Sequence, residues 1–269
     1  MQFDLATRTA SLSVGEFADF AIGPREGGAG SGGLWRAQLG QHWHGEFRAR
    51  AEHEHAEAGG AAGGAAFEVV ISGQLSHRGW TLTLDGRIDQ VVGGALREIK
   101  TVLRPLPAEE AELRGDYPDY FLQLATYAVL RRRAGAPLAR SELVFVEAGS
   151  GLAQTIALTP FDEALVTHQL DVVVLFLEQQ ARAAERRRHL RFQAPFPSLR
   201  PGQETIQQNL DAAFAAPDSP IGALAPAQSR IVLLEAPTGY GKTGCALEFA
   251  LTQLQRGRFD RLLWLTGKS

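Results

Sequence analysis

The stretch LDGRIDQVVGGALREIKTV, residues 84 to 102, sets two carboxylates, Asp89 and Glu98, and one ammonium, Lys100, in an otherwise apolar run. Residues around it alternate as a strand does, with Trp80, Leu82, Leu84 and Ile88 on one side and Thr81, Thr83, Arg87 and Asp89 on the other. Gly93-Gly94 supplies a tight two-residue turn. In a hairpin symmetric about that turn Asp89 falls directly opposite Glu98, with Cβ atoms about 5 Å apart. Lys100, two residues past Glu98, points to the same side, as do Val91, Leu96 and Val102.

Facing carboxylates repel, and taking them out of water is costly unless something neutralises both. A hard divalent cation, Mg²⁺ or Mn²⁺, does this with oxygen ligands from the two side chains. Held there, it lowers the pKa of a bound water and stabilises charge on a phosphate, with Lys100 placed to assist. The other reading of the same residues is a structural ion-pair cluster of Asp89 and Glu98 with Arg87, Arg97 and Lys100. Lysine usage bears on the choice. The chain has 27 Lys plus Arg, of which only Lys100, Lys242 and Lys268 are lysine. A sequence that otherwise relies on arginine keeps a compact ammonium at few positions, and two of them lie in candidate sites.

Elements that could carry these residues follow from periodicity and punctuation. SLSVGEFADF reads as a short amphipathic segment, and GPREGGAGSGG as a loop. Residues 34–57 read as a helix, followed by strands at FEVVISGQL, WTLTLDGRIDQVV and ALREIKTV. A helix around DYFLQLATYAVLRRRAG, strands SELVFVEAG and AQTIALT, and a long helix from about Phe161 to His189 complete the first part. Prolines in RFQAPFPSLRPGQ mark a boundary. The expected fold class is α/β, with domains at residues 1–192 and 202–269 and a linker at 193–201.

GRID, then REIKT, then QLATY on a helix resemble the RecB-like branch of the PD-(D/E)XK nucleases, over about residues 10–190. The resemblance implies an αβββαβ core, a mixed central sheet flanked by helices. It implies Asp89 and Glu98 as metal ligands, Lys100 as the catalytic lysine, and Gln123 and Tyr127, one helical turn apart, facing DNA or the active site. Many members carry a Gly-x-x-x-His on the first helix. Gly40 and His44 match that spacing, making His44 a third ligand, although His42, His53 and His55 also fit a solvated, histidine-rich face. With Cys245 as its one cysteine, the chain cannot hold the four-cysteine iron–sulfur cluster of some relatives.

A second motif lies at LLEAPTGYGKT. Strand RIVLLEA, the glycine loop and helix GCALEFALTQLQ give the context of a phosphate-binding loop. Gly239 and Gly241 let the backbone wrap a phosphate, Lys242 reaches the β/γ-phosphates of ATP, and Thr243 holds Mg²⁺. The segment resembles motif I of superfamily 2 helicases of the XPD/DinG-like group, Ala236 departing from the strict loop pattern. LRPGQ resembles their adenine-contacting element, which makes Gln203 the base reader. Later helicase motifs do not follow, so residues 202–269 read as part of a helicase lobe, truncated before the remaining motor domains. ATP turnover by this chain should then be near background, and a robust DNA-stimulated rate would refute the reading.

The net charge of −3 provides no general field for nucleic acid, so a DNA-binding groove must be local. No apolar run is long enough for a membrane, and the N-terminus is polar, which reads as cytoplasmic. The expected partner is DNA, single-stranded or with single-stranded ends. The alternative is a DNA-binding module, retaining the nuclease fold but not cleavage, that serves a helicase motor.

Overall fold

A computed structural model describes residues 1–23, 42–43, 45–50, 52–53, 65–136, 138–192, 198–214, 232–235, 237, 239–259 and 261–265. The chain divides into two compact units, Met1–Gln179 and Gln180–Ser269.

The first unit is a mixed α/β structure on a seven-stranded sheet. Its strands are β1 (Gln2–Asp4), β2 (Thr9–Ser13), β3 (Ala65–His77), β4 (Trp80–Val92), β5 (Ala95–Val102), β6 (Arg140–Glu147) and β7 (Ala153–Ala157). The order is β1-β2-β4-β5-β6-β7, with β3 also paired to β4. β4 runs antiparallel to β3 and β5, while β2–β4 and β5–β6 are parallel. The helices that begin in this unit are α1 (Val14–Ala18), α2 (Glu110–Asp116), α3 (Pro118–Arg133) and α4 (Pro160–Arg188). Among the described residues 42–53, positions 42–43, 45–50 and 52–53 are helical.

The N-terminal segment departs from its sequence reading. Residues expected to form one amphipathic segment split into β2 and α1, joined at Ser13. A capping box makes the break: Ser13 Oγ accepts the Glu16 amide at 3.1 Å, and Glu16 Oε2 accepts the Ser13 amide at 2.8 Å. The alternation Ala10, Leu12 then gives way to helical spacing at Val14 and Phe17, and all four side chains are buried.

Two glycines bring α3 onto the sheet. A Cβ on Gly73 would lie 2.9 Å from Leu130, and one on Gly86 would lie 2.6 Å from the Tyr127 ring and 3.1 Å from Val14. Phe121, Leu124, Ala125, Tyr127, Ala128 and Leu130 of α3 are buried, and Arg131, Arg132 and Arg133 sit at its C-terminus, where cations favour the helix dipole. α4 buries Val166, Leu170, Val173, Val174 and Leu177, one stripe at helical spacing. Its start is fixed by Asp162, which accepts the Thr159 amide at 2.7 Å and two 2.5 Å contacts from Arg114. Trp43 and Phe47 pack against Ile99, Val144 and Val146, forming a smaller cluster separate from the main core.

In the second unit, α5 (Gln203–Phe214) and α6 (Lys242–Gln255) pack through Ile206, Leu210, Cys245 and Phe249. At RIVLLEA and RLLWLTG, where strands are expected, the described residues 232–235 and 261–265 are irregular. Strand geometry requires neighbouring backbone to take its N–H and C=O groups, and the described residues of this unit contain no strand that could do so. Leu233, Leu263 and Leu265 are correspondingly exposed. No helix among the described residues is long and apolar enough to cross a membrane.

Candidate active site

The hairpin forms in the register set by its turn: Gln90 pairs with Arg97, Val91 with Leu96 and Val92 with Ala95, while Gly93 and Gly94 take φ of 57° and 79°. Regular β4–β5 pairing then stops, one position short of Asp89 and Glu98. Farther along the same strand, residues 81–85 of β4 pair with β2 instead. Between the two ladders, side chains take over backbone hydrogen bonding. The Ile99 amide donates to Asp89 Oδ2 at 2.7 Å, and the Arg87 amide donates to the Tyr127 hydroxyl at 3.4 Å.

Glu98 sits at the centre of this interruption in the ladder, with only 2% of its surface exposed. Its Oε1 accepts Lys100 Nζ at 3.0 Å and Gln123 Nε2 at 2.9 Å. The same Gln123 amide lies 3.3 Å from the Tyr127 hydroxyl, so the helical pair buttresses the carboxylate from α3. Glu98 Oε2 is buried and has no hydrogen-bond partner among the described residues. An orphaned carboxylate oxygen in a buried site is costly. Burial, followed by the charge of Asp89 and opposed by Lys100, raises the Glu98 pKa to about 7. Burial alone would lower that of Lys100, but the carboxylates of Glu98 and Asp89 outweigh it and hold the ammonium charged. Burial and the Glu98 charge push the Tyr127 hydroxyl up.

Asp89, Glu98, Lys100, Gln123 and Tyr127 are therefore brought together as one hydrogen-bonded and electrostatic group. His44 lies outside the described residues. Arg87 and Arg97 do not neutralise Glu98: Arg87 pairs with Glu68 at 3.3 Å and Arg97 with Glu142 at 2.8 Å. That geometry removes two of the three cations from the alternative ion-pair cluster. The chemistry of the donor set, two carboxylates with one oxygen orphaned, fits a hard divalent cation. Sequence reading missed Gly86, whose bare backbone makes room for Tyr127; a lone glycine inside a strand pattern was the available signal. Gly86→Ala should push the Tyr127 ring out of place, costing about 1–3 kcal/mol of stability and weakening the site, as thermal melts and activity measured together would reveal.

In the second unit the glycine loop brings Gln203 into contact. Gln203 is buried, its Nε2 donates to the Tyr240 carbonyl at 2.9 Å, and its Oε1 accepts the Arg200 amide at 2.8 Å. Gly239 and Gly241 have φ of 83° and 77°, and Gly241 caps α6 directly before Lys242. Lys242 Nζ donates to the Pro237 carbonyl at 3.2 Å, and Thr243 is exposed.

No family model matches this chain, and no curated protein matches it. Among solved structures it is similar to that of SSO0001, at 14% identity over 62% of this chain and 76% of the other, with a TM-score of 0.41. It is also similar to a presumed exonuclease of Eubacterium rectale, at 15% identity over 68% of this chain and 87% of that one, with a TM-score of 0.43. Likeness at this level carries neither family nor activity to the present chain.

Proposed function

We propose that the first unit is a divalent-metal-dependent DNA nuclease that hydrolyses phosphodiester bonds. The observation that carries this reading is the buried Glu98 carboxylate, with one oxygen unpartnered and Asp89 and Lys100 beside it. Asp89 and Glu98, with His44 as a candidate third ligand, hold Mg²⁺ or Mn²⁺. A cation bound there supplies charge neutralisation on the phosphate and a more acidic water. Gln123 fixes Glu98 Oε1 and so leaves Oε2 for the cation. Lys100 presents its ammonium to the developing charge on the phosphate oxygens. Tyr127 holds Gln123 in place and carries no charge itself.

The test is cleavage of labelled single-stranded and duplex DNA in Mg²⁺ or Mn²⁺, with EDTA as control. Cutting that EDTA abolishes supports the nuclease. DNA retarded in a gel yet left uncut with Mn²⁺ would overturn it in favour of a binding module serving a motor. For the second unit, the tie between buried Gln203 and the glycine loop supports a nucleotide-binding reading of helicase type, with Lys242 and Thr243 meeting the phosphates and Mg²⁺ of ATP.

A further inference from the structure

Beside the carboxylates lies a pair of aromatic rings that hydrolysis alone does not use. Tyr117 and Tyr120 stack with ring centres 5.3 Å apart and planes inclined by 5°. Tyr117 stands between α2 and α3 with φ −132° and ψ 51°, and this break in the helix lets its ring meet that of a residue three positions on. Both rings are partly exposed. They lean on the buried ring of Phe145, at 5.5 Å from Tyr117 and 6.2 Å from Tyr120. Lys100 Nζ lies 5.2 Å from the centre of the Tyr120 ring and 3.0 Å from Glu98 Oε1. Glu98, Lys100, Tyr120 and Tyr117 thus form one path leading from the buried carboxylate toward solvent.

We propose that Tyr117 and Tyr120 are a nucleobase-stacking platform that selects an unpaired DNA strand and positions its phosphate at Lys100. This deepens the nuclease reading and rests on it. Aromatic rings bind bases through their π-faces with little regard to sequence, and rings backed by a rigid core lose little freedom on binding. A base inside a duplex has both faces covered by its neighbours, so only an unpaired or frayed base can lie on the platform. Lys100 lies over the Tyr120 ring and beside the carboxylate, so platform and site share one cation, as the phosphate of a nucleotide lies close to its own base. The two tyrosines are positioning residues and exchange no proton with the substrate.

The experiment measures fluorescence anisotropy of the full chain with a short fluorescein-labelled oligothymidylate, its abasic counterpart and a blunt duplex, in Ca²⁺ so that binding is read without cutting. Wild type should bind the oligothymidylate about tenfold or more tightly than the abasic strand or the duplex. Tyr120→Leu should erase that preference and Tyr120→Phe should keep it. Equal binding of base-bearing and abasic strands by wild type would overturn the platform without requiring any variant to fold. Metal-dependent cleavage with no such preference would sink the platform and leave the nuclease standing. A base preference with no cleavage in Mn²⁺ would sink the nuclease and leave the platform standing.

Discussion

Lys100→Ala should lower metal-dependent cleavage by about 10²–10³-fold, the scale on which removing one preorganised electrostatic donor acts. Glu98→Gln should abolish cleavage, and the two losses should have different origins. Glutamine keeps the shape of Glu98 but supplies no negative oxygen, so Mn²⁺ binding in isothermal titration should disappear together with activity. Alanine at position 100 removes an ammonium 3.0 Å from Glu98 Oε1, so Mn²⁺ should bind at least as tightly as in wild type while turnover falls. A structural ion-pair cluster predicts the reverse pattern: both variants would lose thermal stability, and neither would change metal affinity. The split between binding and turnover decides between the two readings, and a melt of each variant guards against simple unfolding.

The hairpin is legible in the sequence because short-range signals agree: strict alternation, a Gly-Gly turn and a polar interruption of an apolar strand. Observed bounds of β4 and β5 match the expected ones residue for residue, and the expected register holds from the turn to Gln90 and Arg97, one position short of Asp89 and Glu98. That Gln123 and Tyr127 share a helix face is legible from their spacing of four, while their place beside Glu98 is implied only by the resemblance. The end of the ladder beyond Gln90 and Arg97 was not legible. It depends on β2 claiming the first half of β4, a contact between residues some seventy positions apart. β2 itself is five residues long and runs straight into a capped helix, which blurs the period of both. The glycine loop showed the opposite failure. RIVLLEA and RLLWLTG have strand composition, but composition provides no partner, and residues 232–235 and 261–265 adopt no strand.

The carboxylate at the centre of the site also makes stability and metal binding answer to pH in opposite directions. Burial raises Glu98 from 4.5 to about 7, so the folded chain retains a proton that the unfolded chain has released. Between those values the folded state binds more protons, and the free energy of unfolding must fall as pH rises. The contribution of this group is fully present below pH 4.5, is lost progressively toward pH 7 and then stays level, a change of about 3 kcal/mol at most. Urea unfolding of metal-free protein at pH 5 and pH 8 should show that loss, and Glu98→Gln should remove this component of it. A cation needs the ionised form. Below pH 7 it must displace the proton, so Mn²⁺ affinity should drop about tenfold for each unit of acidification, with close to one proton released per ion bound. Lys100 stays charged throughout, because its pKa is raised and lies above this range. Cleavage at subsaturating Mn²⁺ should therefore climb with a slope of one up to about pH 7 and level off beyond it, while the metal-free fold becomes less stable over the same interval. A pH-independent Mn²⁺ affinity would mean that Glu98 is not the ligand. The site would then owe its buried proton to packing alone, because a group that gains nothing from ionisation in the folded chain has no reason to give the proton up.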